Sequence, residues 1–181
     1  DGLQHTHPDL ITNYDAANSF DFINNDADPD PPAGSNHGTM VAGLSGGVGF
    51  NTLGISGVAP SAKLAGLLLL GVGMTDQLEA NAIGYQNQQI HIYNNSWGPP
   101  DADDGSADVN PPGPLMLAAL ANGAVNGRGG LGSIQTWAGG NGGAFSDNVN
   151  YDGYANSRFT IAVGALDHNG VQSSFSEPGA P

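Results

Sequence analysis

Four apolar runs, Lys63 to Leu70, Ile90 to Asn95, Ser133 to Ala138 and Phe159 to Leu166, alternate with segments of helical composition. This alternation constrains the fold more than any other feature of the chain. Parallel strands need long crossover connections, and helices between strands supply them. Runs this apolar predict strands covered on both faces. The expected fold class is α/β: a three-layer, mostly parallel sheet with helices on both faces. The length suits one domain over 1–181, with no linker and no internal repeat.

Three segments read as helices: residues 37 to about 46, Asp76 to about Gln88 with Glu79 completing a capping box, and Leu115 to Val125. Asp1 to Pro32 is loop-rich, Gly47 to Gly57 is a glycine-punctuated loop holding Asn51, and Pro100 to Pro114 is a polar insertion. The chain opens on Asp1-Gly2 without a methionine and stops at Gly179-Ala180-Pro181 in mid-pattern. It reads as a piece of the fold truncated at both ends.

Charge narrows the function. Seventeen acidic residues stand against three basic ones, a net charge of −14. Nothing here could neutralise a phosphate backbone, so nucleic acid is excluded as a partner. The balance suits a calcium binder, a cationic substrate or life in salt. With no cysteine there is neither disulfide nor thiolate chemistry. The longest uninterrupted apolar stretch, Leu67 to Leu70, is far too short to span a membrane. The strong acidity and lack of cysteine suit a secreted or periplasmic protein. The acidic run from Asp21 to Asp30 reads either as a solvated loop or as carboxylates bridged by a cation. His5, His7, His91 and His168 show no ligand spacing and read as structural or exposed.

Three short stretches carry chemistry. His37-Gly38-Thr39 opens a helix, where an imidazole can face a cleft and move protons. Gly140-Asn141-Gly142 follows a strand and can aim a carboxamide at a developing oxyanion. Ser96-Trp97-Gly98 leaves another strand with backbone groups free to pair with an extended peptide.

In that order, and preceded by Asp1-Gly2 and His7-Pro8-Asp9-Leu10, these stretches resemble the subtilisin superfamily of serine peptidases, and more narrowly its kexin/proprotein convertase branch. The narrower likeness rests on Asn13-Tyr14-Asp15, Asp28-Pro29-Asp30-Pro31, His91-Ile92-Tyr93, Gly127-Arg128-Gly129-Gly130-Leu131-Gly132-Ser133 and Tyr151-Asp152-Gly153-Tyr154-Ala155-Asn156-Ser157. The resemblance implies a calcium-dependent serine endopeptidase cutting after basic residues, with His37 as general base and acid and Asn141 as oxyanion donor.

It places the family's triad aspartate one residue upstream of Asp1, and Asp1 itself at the second substrate position. The nucleophilic Gly-Thr-Ser motif does not occur in this sequence. Ser96, Trp97 and Gly98 would line the peptide. Asp103 and Asp152 would hold a substrate arginine, with Asp101 competing for the role of Asp103. Glu79, Tyr154 and Asp108 would meet a more distant basic residue. Gly34 stands where a second-pocket acid is usual, which loosens a dibasic preference.

Calcium is implied three times: at Asp9 and Asn51 with the carbonyls of Val48, Leu53 and Ile55; at Asp103, Asp147 and Glu177; and at Asp21, Asp28 and Asp30. The implied partners are a polypeptide substrate with basic residues before the cleaved bond, and a propeptide or a downstream β-sandwich domain. Two other readings remain: a non-catalytic homologue, and an acidic calcium-binding adhesion module. The adhesion module would have no reason to gather Asp103, Asp152 and Glu79 in one cleft.

Overall fold

A computed structural model describes residues 1–71, 73–101 and 111–180. In chain order the elements are β1 (Phe20–Asp21), α1 (His37–Gly46), β2 (Leu67–Leu68), α2 (Asp76–Gly84), β3 (Ile92–Asn95), α3 (Pro114–Gly130), β4 (Ile134–Ala138) and β5 (Ile161–Val163). They belong to two compact units, Asp1–Ala82 and Ile83–Pro181. No helix among the described residues is long and apolar enough to cross a membrane.

In the first unit β1 pairs parallel with β2, Phe20 opposite Leu67 and Asp21 opposite Leu68. The residues before Pro32 are thus not loop alone. A two-residue strand has no periodicity to read, and it forms because Ser19, Phe20 and Phe22 find backbone partners at Gly66 and Leu68. The apolar run from Lys63 pairs as a strand only at Leu67–Leu68. Asn13 is buried and donates to the carbonyls of Gly46 (2.9 Å) and Pro60 (2.8 Å), tying the N-terminal segment to both ends of the 47–60 loop. Helix α1 buries Gly43 and Gly46 and leaves Met40 and Leu44 exposed. A helix can approach Leu64 this closely only on a glycine face: a Cβ on Gly46 would come within 2.8 Å of that side chain. Helix α2 is capped by Thr75, whose Oγ1 accepts the Leu78 N–H. It stops at Gly84 instead of reaching Gln88, since Gln86 takes a left-handed φ of 49°.

The second unit holds a parallel sheet in the order β3-β4-β5, with Ile92 opposite Ile134 and Thr136 opposite Ile161. Its core gathers Ile83, Met116, Leu120, Trp137, Val149, Tyr154 and Ala155. Burial alternates along the strands, with Tyr93, Asn95, Gln135 and Trp137 inside and Ile92, Ile134, Ile161 and Val163 exposed. Helix α3 begins with Pro114 at a position where a missing N–H costs nothing. Its regular path ends at Gly127, beyond which Arg128 and Gly129 turn left-handed. The Arg128 guanidinium donates to the Gly132 carbonyl, and Gly127 leaves room for Ser133. One of the three basic residues is therefore spent on a turn.

Candidate active site

His37 is the first residue of α1 and stands in the first unit. Three consecutive residues there dock on the segment from Asp1 to Gln4. The His37 Nδ1 lies 2.5 Å from Asp1 Oδ2. A Cβ on Gly38 would overlap the Gly2 carbonyl oxygen. Thr39 Oγ1 accepts the Gln4 N–H at 3.0 Å. The His-Gly-Thr order is thus explained residue by residue: partner, close approach, tether. A carboxylate only accepts, so Nδ1 carries the proton and the half-exposed ring offers Nε2 as a base. The resemblance seats Asp1 against the substrate; its carboxylate lies on the imidazole.

Asn141, the candidate oxyanion donor, and the acids of the candidate pocket belong to the second unit. Beyond the end of β4 at Ala138 the chain passes through Gly139 and Gly140 to Asn141, whose side-chain amide makes no hydrogen bond among the described residues. The glycines around it are needed because carboxylates press on this turn. Gly140 has φ 79° and faces the Glu177 carboxylate, and Gly142 faces Asp147 and Asp101. Gly142 N–H donates to Glu177 Oε1 at 3.1 Å, and Asn141 N–H donates to Asp101 Oδ1 at 3.3 Å.

Asp101, Asp147 and Glu177 bring ligand oxygens within 4.8 Å of one another. With Pro99, Pro100, Tyr151 and Asp152 they line one pocket, which holds no cationic side chain. Burial, and then the neighbouring charges of Asp147 and Asp101, push Glu177 up to about 7. Burial also raises Asp152, against the pull of the Tyr154 and Ala155 N–H groups that it accepts. Three crowded carboxylates without a counter-charge are a hard, oxygen-only donor set, which suits calcium. Asp101 stands with Asp147 and Glu177, the two residues that the resemblance grouped with Asp103; Asp103 and Asp108 lie outside the described residues.

Ser96 and Trp97 leave β3 beside this pocket. Trp97 packs tilted at 60° against Trp137 (4.8 Å) and edge-on against Tyr154 (5.5 Å), and Gly98 faces Asp152 Oδ2. Tyr154 is thus a core residue as well as a candidate contact. Glu79 is buried in α2. Trp137 Nε1 and Gln135 Nε2 are buried polar atoms without a partner among the described residues.

Asp9 and Asn51, the side chains of the first implied calcium cluster, meet each other. Asp9 Oδ1 accepts Asn51 Nδ2 at 2.7 Å, Asp9 Oδ2 accepts the Ile55 N–H at 2.9 Å, and Val48 N–H donates to the Asp9 carbonyl. Asn51 Oδ1 is taken by the Leu53 N–H. These bonds hold Asp9 below the usual carboxylate range. A cation there would have to displace N–H donors. The third cluster does not form as expected. Asp21 turns back on its own loop, accepting Ile23 N–H, Asn24 N–H and Asn24 Nδ2, while Asp28 and Asp30 meet His5.

The subtilase family profile matches residues 1–180. The dibasic-processing endoprotease of Schizosaccharomyces pombe is 46% identical over 168 residues, 92% of this chain and 23% of the relative. The human proprotein convertase subtilisin/kexin type 4 is 44% identical over 181 residues, 98% of this chain and 24% of the relative. The crystal structure of a serine protease of Aeromonas sobria superposes with a TM-score of 0.80 at 26% identity, covering 98% of this chain and 33% of that one. The chain spans about a quarter of the length of these curated relatives. A match running from the carboxylate beside His37 through the glycine turn at Asn141 to the acids beyond it leaves one conclusion: the chain belongs to the subtilase family.

Proposed function

We propose that this chain supplies the histidine, the oxyanion donor and the substrate-selecting acids of a calcium-dependent serine endopeptidase that cuts polypeptides after basic residues. The Asp1–His37 contact carries the reading. With Nδ1–H held by a carboxylate, Asp1 or the aspartate that the resemblance places one residue upstream of it, Nε2 can take the proton of an attacking serine hydroxyl and return it to the leaving amine; that carboxylate stabilises the imidazolium between the two steps. The Asn141 amide, without a side-chain partner among the described residues, can meet the oxyanion, a donation worth about 3 kcal/mol in acyl transfer. Asp152 and its neighbouring acids suit a guanidinium or ammonium group, which would supply the missing positive charge. The dibasic-processing relative supports that selectivity. Calcium, where bound at Asp101, Asp147 and Glu177, supplies the counter-charge that keeps three carboxylates beside the Gly140–Gly142 turn.

The test is cleavage by the full-length protein of matched peptides carrying arginine or glutamine before the scissile bond. Arginine should be preferred, and His37→Ala should lower kcat by several orders of magnitude with unchanged thermal unfolding. Turnover retained in His37→Ala, or an equal rate on both peptides, would overturn the corresponding half of the reading.

A further inference from the structure

Two indoles pack together at the exit of β3, and only one of them has a partner for its N–H. Trp97 Nε1 donates to Asn95 Oδ1 at 3.2 Å. Trp137, inside β4 and 1% exposed, has no partner for Nε1 among the described residues. An indole N–H is a donor and nothing else. Buried and unmet, it forfeits the hydrogen bond that water gave it in the unfolded chain.

Where it points decides what can meet it. A Cβ on Gly98 would stand 4.0 Å from Trp137 Nε1 and 3.6 Å from Asp152 Oδ2. Beyond its neighbours in the chain, no other heavy atom among the described residues comes so near that place. Gly98 thus lets a lone donor and a carboxylate oxygen face one small spot. Asp152 Oδ1 already accepts the Tyr154 and Ala155 N–H groups, at 3.0 and 3.4 Å, whereas Oδ2 has no donor among the described residues. A basic substrate side chain cannot answer the indole, since ammonium and guanidinium groups only donate. A water can answer both atoms, accepting from Nε1 and donating to Oδ2; polar partners of this kind are what ordered buried water needs.

We infer that Trp137 is a positioning residue for Asp152, acting through one buried water held over Gly98 between Nε1 and Oδ2. Backbone N–H groups fix Oδ1, the water fixes Oδ2, and the plane of the carboxylate is set. A guanidinium binds bidentately and needs that plane, whereas an ammonium is a point charge and does not. The inference rests on the reading of Asp152 as an acid that meets a basic substrate residue, and adds a reason for arginine over lysine.

The experiment removes the N–H from the full-length protein in two ways. One is Trp137→Phe; the other replaces Trp137 by benzothienylalanine, which keeps the shape of the indole. Matched peptides carry arginine, lysine or glutamine before the cut. On arginine kcat/KM should fall about tenfold, nearly all of it in KM, while lysine and glutamine change less than about twofold. Equal losses on all three peptides would mark Trp137 as merely structural and overturn the inference, as would no loss in either variant. A crystal structure of the wild-type full-length protein decides without any activity, and decides alone if neither variant folds. It should show a water within about 3.2 Å of both Trp137 Nε1 and Asp152 Oδ2. A chain oxygen on Nε1 instead, or no water there, would overturn the inference. A wild type indifferent to arginine would sink the reading of Asp152 and leave the water to that structure.

Discussion

The Asp1 carboxylate stands where two roles can be told apart by chemistry. As the partner of His37 Nδ1 it fixes the tautomer, and its conversion to an amide presents the wrong hydrogen-bond pattern to the ring. In the full-length protein Asp1→Asn should then cost about 10⁴-fold in kcat with little change in KM. Were Asp1 a substrate contact, as the resemblance has it, the loss would sit in KM and in selectivity at the residue second from the cut. A kcat/KM split measured on one peptide series settles which holds. Gly38 belongs to the same argument, because only a residue without Cβ lets the Gly2 carbonyl pass and so lets Asp1 reach the ring.

Among the elements, several short ones are made by side chains bonding to nearby backbone. The 166–172 turn, closed by the Leu166–Gln172 bridge, shows this most plainly. Asp167 Oδ1 accepts the N–H groups of Asn169 (2.8 Å) and Val171 (3.0 Å). These bonds hold its pKa below the usual value. A depressed carboxylate contributes stability above its unfolded pKa and loses it as pH falls through the folded one. The Val171 amide should therefore be protected from hydrogen exchange at neutral pH and lose that protection below about pH 4. In Asp167→Ala the protection should already be missing at neutral pH. Equal protection in wild type and variant would show that the turn holds without the side chain.

For the whole molecule the question is where so much negative charge is tolerated. All three basic residues are committed elsewhere: Lys63 to the Thr12 carbonyl, Arg128 to the Gly132 carbonyl and Arg158 over the Phe159 ring. None of them lines the Asp101–Asp147–Glu177 pocket, so on the proposed reading its counter-charge comes from a bound cation. A ligand at a hundredfold excess over its Kd stabilises by about 2.7 kcal/mol, several degrees of Tm for a domain of this size. Chelating calcium should lower Tm by that order. Glu177→Gln should raise the Tm of the chelated protein by relieving repulsion, and should shrink the calcium increment. A calcium increment unchanged in Glu177→Gln would remove this pocket from the calcium account.

By itself the sequence determined what depends on neighbours along the chain. The α/β alternation, the helix opened by His37-Gly38-Thr39, the strand exits at Ser96 and Asn141 and the family are legible because periodicity and contiguous motifs are local. Tertiary structure decided what depends on distant segments meeting. β1 exists only through its pairing with β2, Asp21 is drawn into its own turn, and His5 reaches Asp28 and Asp30 across more than twenty residues. Asp101 joins Asp147 and Glu177 for the same reason. Carboxylates look alike in a sequence; only packing fixes which oxygens already have a donor and which still need a cation.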